Sequence, residues 1–178
     1  MLTRKQVLAI FDQYISEFIF NDIERSIHAG TNFLTALGPM SYTEFVGGLM
    51  SCNAGQRGHA ERNFYEAYNR LGPAYADFDR TVRRRFRKRK TKPRNVYDVI
   101  RCGLVHEYFI KKNFVIAQGH QHRGAPGVGW LGNKLVIAND NYFNDFKRMC
   151  LAYRHQLACD KAVRNCFERA FKRKTYLR

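Results

Sequence analysis

The chain has 178 residues, of which 45% are hydrophobic and 14% aromatic, and it carries 31 lysines and arginines against 15 acidic residues. This length predicts one domain with its own core, and the apolar content excludes an intrinsically disordered chain. The net charge of +16 opposes compaction through self-repulsion, so it predicts a polyanionic partner, nucleic acid first and an anionic membrane second.

The N-terminal stretch is predicted to form one long amphipathic helix, with Thr3 as its N-cap. Apolar residues recur at helical spacing to about His28, where Ala29-Gly30 ends or bends the helix. This segment has acidic residues inside its apolar pattern and no small-residue cleavage site, so we do not expect a signal peptide. A second apolar stretch begins at Asn32 and is interrupted by Gly38-Pro39.

Ser41 is predicted to begin a further helix, in which we expect close backbone packing to account for Gly47-Gly48. A short helix is predicted from Ala60 to Leu71, and another from Asn95 to Lys112. The chain contains no uncharged apolar run of membrane-spanning length, so no membrane partner is expected.

The next part favours β structure before helical periodicity returns. Two short β-prone runs, 114–117 (FVIA) and 134–138 (KLVIA), flank a glycine-rich stretch, and we predict a small hairpin with a long loop. His120 and His122 in that loop have no cysteine or carboxylate close by in the chain, so no metal site is expected. Apolar residues then predict one long terminal helix from Asn141 to Lys172.

The five cysteines show no C-x-x-C spacing. This spacing argues against a disulfide framework and against a zinc site. We expect reduced, mostly buried thiols in a cytoplasmic protein, at Cys52, Cys102, Cys150, Cys159 and Cys166.

Residues 80–94 (RTVRRRFRKRKTKPR) hold ten basic residues and no acid. Such a segment can follow a phosphate backbone while the interleaved Phe86 stacks on a base. A solvated face with incidental charge is the alternative. The predicted nucleic-acid-binding residues are Arg83, Arg84, Arg85, Arg87, Lys88, Arg89, Lys90 and Lys92.

Residues 97–107 (YDVIRCGLVHE) place Arg101 and His106 five positions apart on a predicted helix. The two side chains are about 140° apart around the axis, so they meet only if the long arginine reaches back. A neutral imidazole can then take the proton of a ribose 2′-hydroxyl while the guanidinium binds the phosphorane, without a metal. The alternative is a partly buried Arg101 paired with a carboxylate, from Glu24 or Glu44, and a packed His106.

The R-x4-H pattern of Arg101 and His106 in a small helical domain resembles the HEPN superfamily. The RCGLVHE block also resembles a recurrent stretch in uncharacterised bacterial proteins, with NFLTALG (32–38) and YTEFVGG (42–48) upstream. The resemblance implies a homodimer whose two motifs share one cleft and cleave RNA without metal. It also implies an antitoxin or other protein partner in toxin–antitoxin or defence systems, and it includes non-catalytic RNA-binding members.

The expected architecture is mainly α: a single HEPN-like helical bundle over residues 1–178, with a basic segment at 80–94 and a β-hairpin and glycine-rich insertion at 113–139. The predicted function is RNA binding, with RNA favoured over DNA, and metal-independent endoribonuclease activity through Arg101 and His106. No cofactor is expected. The alternatives are a non-catalytic nucleic-acid-binding or regulatory module, or a subunit of a larger assembly whose basic segment docks on an acidic partner.

Overall fold

The computed structural model describes residues 1–87, 94–106, 114–118 and 125–173, with the side chains of Asn32, Val105 and His106 outside that description. Within these ranges the chain is mainly helical and includes a small three-stranded sheet, which confirms the predicted fold class. No helix in the described ranges is both long enough and apolar enough to cross a bilayer.

Helix α1 has three consecutive segments, α-helical, π-type and again α-helical: Arg4–Phe11, Asp12–Ile19 and Phe20–His28. Thr3 caps the helix, as predicted. Its hydroxyl accepts a hydrogen bond from the Gln6 N–H at 3.3 Å, and the Gln6 side chain accepts one from the Thr3 N–H at 2.8 Å. The helix ends before Gly30, whose φ of +67° lies in the left-handed region that glycine tolerates.

Helix α2 spans Asn32–Met50 without interruption, so the predicted break at Gly38-Pro39 and the predicted start at Ser41 are wrong. Pro39 removes one helical hydrogen bond, at a cost of about 3 kcal/mol. Tertiary packing outweighs that cost, because α2 lies centrally and buries residues such as Met40 and Leu49 against its neighbours.

Helix α3 (Ala60–Tyr68) lies in close backbone contact with α2. A Cβ atom at Gly47 would lie 1.8 Å from the carbonyl oxygen of Asn63, and one at Gly48 would lie 2.9 Å from the Cα of Ala54. The predicted reason for the Gly-Gly pair is therefore confirmed: only glycine permits this approach.

Helix α4 (Pro73–Arg85) starts with a proline and ends in three consecutive arginines, which suit the helix dipole. Helix α5 follows as a π-type segment and an α-helical segment: Tyr97–Arg101 and Cys102–His106. The Asn95 side chain accepts a hydrogen bond from the Asp98 N–H at 2.9 Å at the start of α5. The predicted helix over 95–112 agrees as far as His106, and its remainder lies outside the described residues.

The sheet has the order β1-β3-β2, with strands Phe114–Ala117, Val128–Leu131 and Lys134–Ala138. The two predicted runs, β1 and β3, pair in parallel, so the predicted hairpin between them is wrong. Parallel neighbours need a crossover connection. The hairpin instead joins β2 to β3 in antiparallel pairing, with Gly132 at φ +58° in its turn.

The predicted long terminal helix is two helices, α6 (Asn139–Cys159) and α7 (Lys161–Arg173). Asp160 separates them in an extended conformation, with φ −110° and ψ 120°. Its carboxylate accepts hydrogen bonds from the N–H groups of Ala162 at 2.7 Å and Val163 at 3.3 Å. Asp160 is therefore the N-cap of α7, a local signal that competes with the continuous apolar period.

Cys52 and Cys166 form a disulfide between the loop after α2 and helix α7, with a Cα–Cα distance of 5.0 Å. The prediction of five reduced thiols is wrong for these two residues. They are 114 positions apart in the sequence, so no local pattern indicates that they meet in the fold. Cys102, Cys150 and Cys159 are free, and burial raises the pKa of the Cys150 thiol.

A row of buried aromatic rings connects α3, α4 and α6. Ring centroids are 4.9 Å apart for Phe64 and Tyr68, 5.2 Å for Tyr68 and Tyr75, and 5.7 Å for Tyr75 and Tyr142. The row ends at a 2.9 Å hydrogen bond between the hydroxyls of Tyr142 and Thr43, which lies on α2. These contacts fix α4 on the core and so position the arginines at its C-terminal end.

Candidate nucleic-acid interface and the Arg101 site

The C-terminal half of α4 carries the described helical part of the basic segment. Phe78 and Val82 bury one face of the helix against the core, and α4 packs against strand β2. Apart from the buried Asp79, the charged residues of this stretch lie on the other sides of the helix. The exposed arginines are Arg80, Arg84, Arg85 and Arg87, of which Arg80 forms an ion pair with Asp77 on the same helix.

Arg83 has a structural contact network. Its Nε donates to Asp79 at 2.6 Å, and its guanidinium lies 5.5 Å from the centroid of the Tyr65 ring. Asp79 is buried and also accepts hydrogen bonds from the Tyr65 hydroxyl at 2.6 Å and the Val96 N–H at 2.9 Å. Burial, and then the bond to Asp79, raise the pKa of Tyr65. Asp79 therefore joins α3, α4 and the start of α5, and it balances the charge of Arg83.

Arg85 lies across the ring of Trp130 on strand β2. Its Cζ atom is 3.9 Å from the indole centroid, and its Nη1 is 3.4 Å from the carbonyl oxygen of Gly132 in the hairpin turn. The indole packs on Phe78 with a centroid distance of 5.5 Å. Arg85 is thus exposed and at the same time held in place by an aromatic contact.

We call the group formed by Arg84, Arg85, Arg87 and Trp130 the basic surface. Lys134 is exposed but pairs with Leu131, whereas Trp130 pairs with Leu135, so Lys134 lies on the opposite face of the sheet. Trp130 is not among the predicted binding residues, although it is the single tryptophan of the chain. Four predicted residues lie outside the described residues: Lys88, Arg89, Lys90 and Lys92.

Arg101 pairs with Glu44 of α2, with 2.7 Å between Nη2 and Oε2. Both side chains are largely covered, at 18% and 20% exposure. Of the two acids left open as structural partners for Arg101, Glu44 is therefore the one that pairs with it. The other predicted acid, Glu24, pairs instead with Lys147 of α6 at 2.6 Å.

Tyr97 completes the surroundings of Arg101. The Arg101 Cζ atom lies 5.4 Å from the Tyr97 ring centroid. Burial raises the pKa of Tyr97 to about 12, with Arg101 opposing this shift and Glu44 adding to it. The Arg101 Nε is buried and makes no hydrogen bond within the described part of the chain.

His106 is the last described residue of α5, and its side chain lies outside the described part of the chain. The backbone is α-helical from Cys102 to His106. Positions 101 and 106 therefore differ by about 140° around the axis and about 7.5 Å along it. Gly103 lies inside this helical segment, and apart from its chain neighbours and the helix's own backbone no described atom lies within 4 Å of where its Cβ would be.

Among the described residues, no group of three or more His, Cys, Asp or Glu side chains is placed to hold a metal ion. His120 and His122 are outside those residues. No protein-family model, curated protein or solved structure matches this chain. Function is therefore inferred from the basic surface and from the Arg101 site themselves.

Proposed function

We propose that this protein binds RNA through the basic surface at the end of α4 and the β2–β3 hairpin. The observation that carries the proposal is the placement of exposed Arg84 and Arg87 beside Arg85, which is seated on Trp130. Cations beside an aromatic ring are the elements with which proteins hold a phosphate backbone and its bases. The net charge of +16 supports a polyanionic ligand for the whole chain.

RNA is proposed over DNA because the Arg101–Glu107 block resembles the HEPN superfamily, and the same resemblance supports a HEPN-like helical bundle. Cytoplasm remains the proposed location. The Cys52–Cys166 disulfide would there belong to the transient or redox-sensing kind, since the cytosol keeps structural disulfides rare.

Binding is tested with a fluorescently labelled RNA and anisotropy over a range of salt concentrations. The variant Arg84→Ala/Arg85→Ala/Arg87→Ala should bind more weakly, and its salt slope should fall by about 2 because three phosphate contacts are lost. A matched control removes three exposed cations on α1 and α7, with Arg4→Ala/Lys5→Ala/Lys161→Ala. Equal affinity losses in the two variants would refute the basic surface as the binding site.

A structural role for Arg101 is the simpler proposal, because Glu44 already compensates its charge at 2.7 Å. In this account the protein is a non-catalytic RNA-binding module. RNA cleavage is a second proposal, supported by one observation: the Arg101 guanidinium is oriented by Glu44 and Tyr97 while its side chain keeps 18% exposure. Such a fixed donor suits a phosphate oxygen in the transition state.

For cleavage, His106 would take the proton from the ribose 2′-hydroxyl, and the product would be a 2′,3′-cyclic phosphate. A homodimer would supply a second His106 for the leaving group. The test incubates labelled RNA with protein in EDTA. Cleavage that disappears in both Arg101→Ala and His106→Ala, with unchanged circular dichroism, supports the catalytic proposal. Binding without cleavage supports the module, and absence of binding at low salt favours an acidic protein partner, such as an antitoxin.

A further inference from the structure

We propose that Arg85 and Trp130 form a platform on which an unpaired nucleobase stacks, so that the basic surface selects single-stranded RNA over duplex RNA. This inference rests on the proposed RNA binding and specifies its ligand. It starts from the 3.9 Å distance between the Arg85 Cζ and the Trp130 ring centroid. At that distance the guanidinium and the indole are in van der Waals contact, and one face of the guanidinium is covered by the ring.

The ring is supported from the core side. Trp130 is half-buried, its ring packs against Phe78 at 5.5 Å, and Phe78 is only 6% exposed. The indole therefore has a fixed position on the sheet. A guanidinium that rests on a fixed ring has lost much of its rotamer freedom before any ligand arrives. The conformational entropy that this arginine loses when a ligand binds is therefore small.

The second face of the Arg85 guanidinium is available to a ligand. Arg85 is an exposed residue, and its weak 3.4 Å hydrogen bond to the Gly132 carbonyl oxygen is donated by Nη1, at the edge of the guanidinium. Nucleobases stack on arginine planes as well as on aromatic side chains. The platform thus offers a flat, cationic face backed by an aromatic ring.

Neighbouring cations are available to the phosphates of the bound strand. Arg84 and Arg87 flank Arg85 in the chain, and both are exposed. Phosphates on either side of a stacked base can bind these side chains. In a duplex both faces of each internal base are already stacked, so a duplex supplies phosphates to the same cations but no base to the platform.

The single tryptophan of the chain makes the test direct, because Trp130 fluorescence reports on this site alone. The protein is titrated with a single-stranded oligoadenylate, with an RNA duplex of equal phosphate number, and with heparin as a polyanion without bases. We expect Trp130 quenching at saturation with the single strand only. The variant Arg85→Lys keeps the charge but loses the planar group. It should weaken single-strand binding about tenfold, the effect of losing one stacked base, and leave heparin binding unchanged.

The control variant is Arg4→Lys, an exposed arginine on α1, which should not alter any of the three affinities. Thermal unfolding confirms that each variant is folded. Binding of the single strand without a change in Trp130 fluorescence overturns the platform, and so does an equal loss of affinity for all three ligands in Arg85→Lys. Those outcomes leave the proposed RNA binding intact. Failure of wild-type protein to bind either RNA at low salt overturns RNA binding itself.

Discussion

The ion pair between Arg101 and Glu44 should stabilise the fold by an amount that a double-mutant cycle can measure. Breaking a fully buried pair costs about 3–5 kcal/mol, and breaking an exposed pair costs at most about 1 kcal/mol. This pair is intermediate, with side chains 18% and 20% exposed. We therefore expect about 2 kcal/mol for Glu44→Gln, which leaves a covered guanidinium without its counter-charge, and a similar loss for Arg101→Met.

The combined Glu44→Gln/Arg101→Met variant removes both charges together, so its loss should be smaller than the sum of the single losses. A coupling of about 1–2 kcal/mol is expected for groups in direct contact. The free energies of unfolding come from urea titrations followed by circular dichroism. The matched control is Glu66→Gln on α3, which breaks an exposed pair with Arg70 just after that helix, with 2.6 Å between Oε1 and Nη2. If Glu44→Gln costs no more than Glu66→Gln, the structural account of Arg101 is refuted.

Three further predictions concern the scaffold. Gly47→Ala should destabilise the fold by about 3 kcal/mol, because the new Cβ would lie 1.8 Å from a carbonyl oxygen of α3. Gly38→Ala is the control and should be tolerated, because its nearest contact is at 3.9 Å. Equal melting temperatures of the two variants would contradict this prediction. Replacing Cys52 and Cys166 by serine should cost about 2–4 kcal/mol, and reductant should lower the melting temperature of wild-type protein but not of the variant. The free energy of unfolding should fall as the pH rises from about 10 to about 12, because Tyr97 loses its proton near its ordinary pKa of 10.0 in the unfolded chain and only near 12 in the folded protein. Urea midpoints measured over this pH range should fall less steeply for Tyr97→Phe than for the wild-type protein.

The helical elements could be predicted from the sequence because their determinants are local. Thr3 and Gly30 mark the ends of α1 by capping chemistry that needs no tertiary contact. The break between α6 and α7 also has a local cause, because the Asp160 side chain caps α7. The apolar period nevertheless continues through the break and so predicts a single helix. Pro39 shows the opposite case: a strong local breaker remains inside α2 because long-range packing stabilises the helix.

The candidate site also has features that the sequence shows and long-range contacts that only the structure shows. The charge of residues 80–94 is visible in the sequence, whereas the sequence left Glu24 and Glu44 open as partners for Arg101 and only the structure decides for Glu44. The contact between Arg85 and Trp130 joins residues 45 positions apart, and no local periodicity predicts such a contact. The same reason explains why the Cys52–Cys166 disulfide could not be foreseen. Strand β2, which carries Trp130, is also hard to recognise in the sequence because it contains Gly129.

The Asp79 carboxylate bears on how freely the basic segment can vary. It binds Arg83 near the end of α4 and the Val96 N–H at the start of α5. Arg83 precedes residues 88–93 and Val96 follows them, so one buried carboxylate anchors the chain on both sides of that stretch. Loss of Asp79 would therefore release the end of α4 and the start of α5 together.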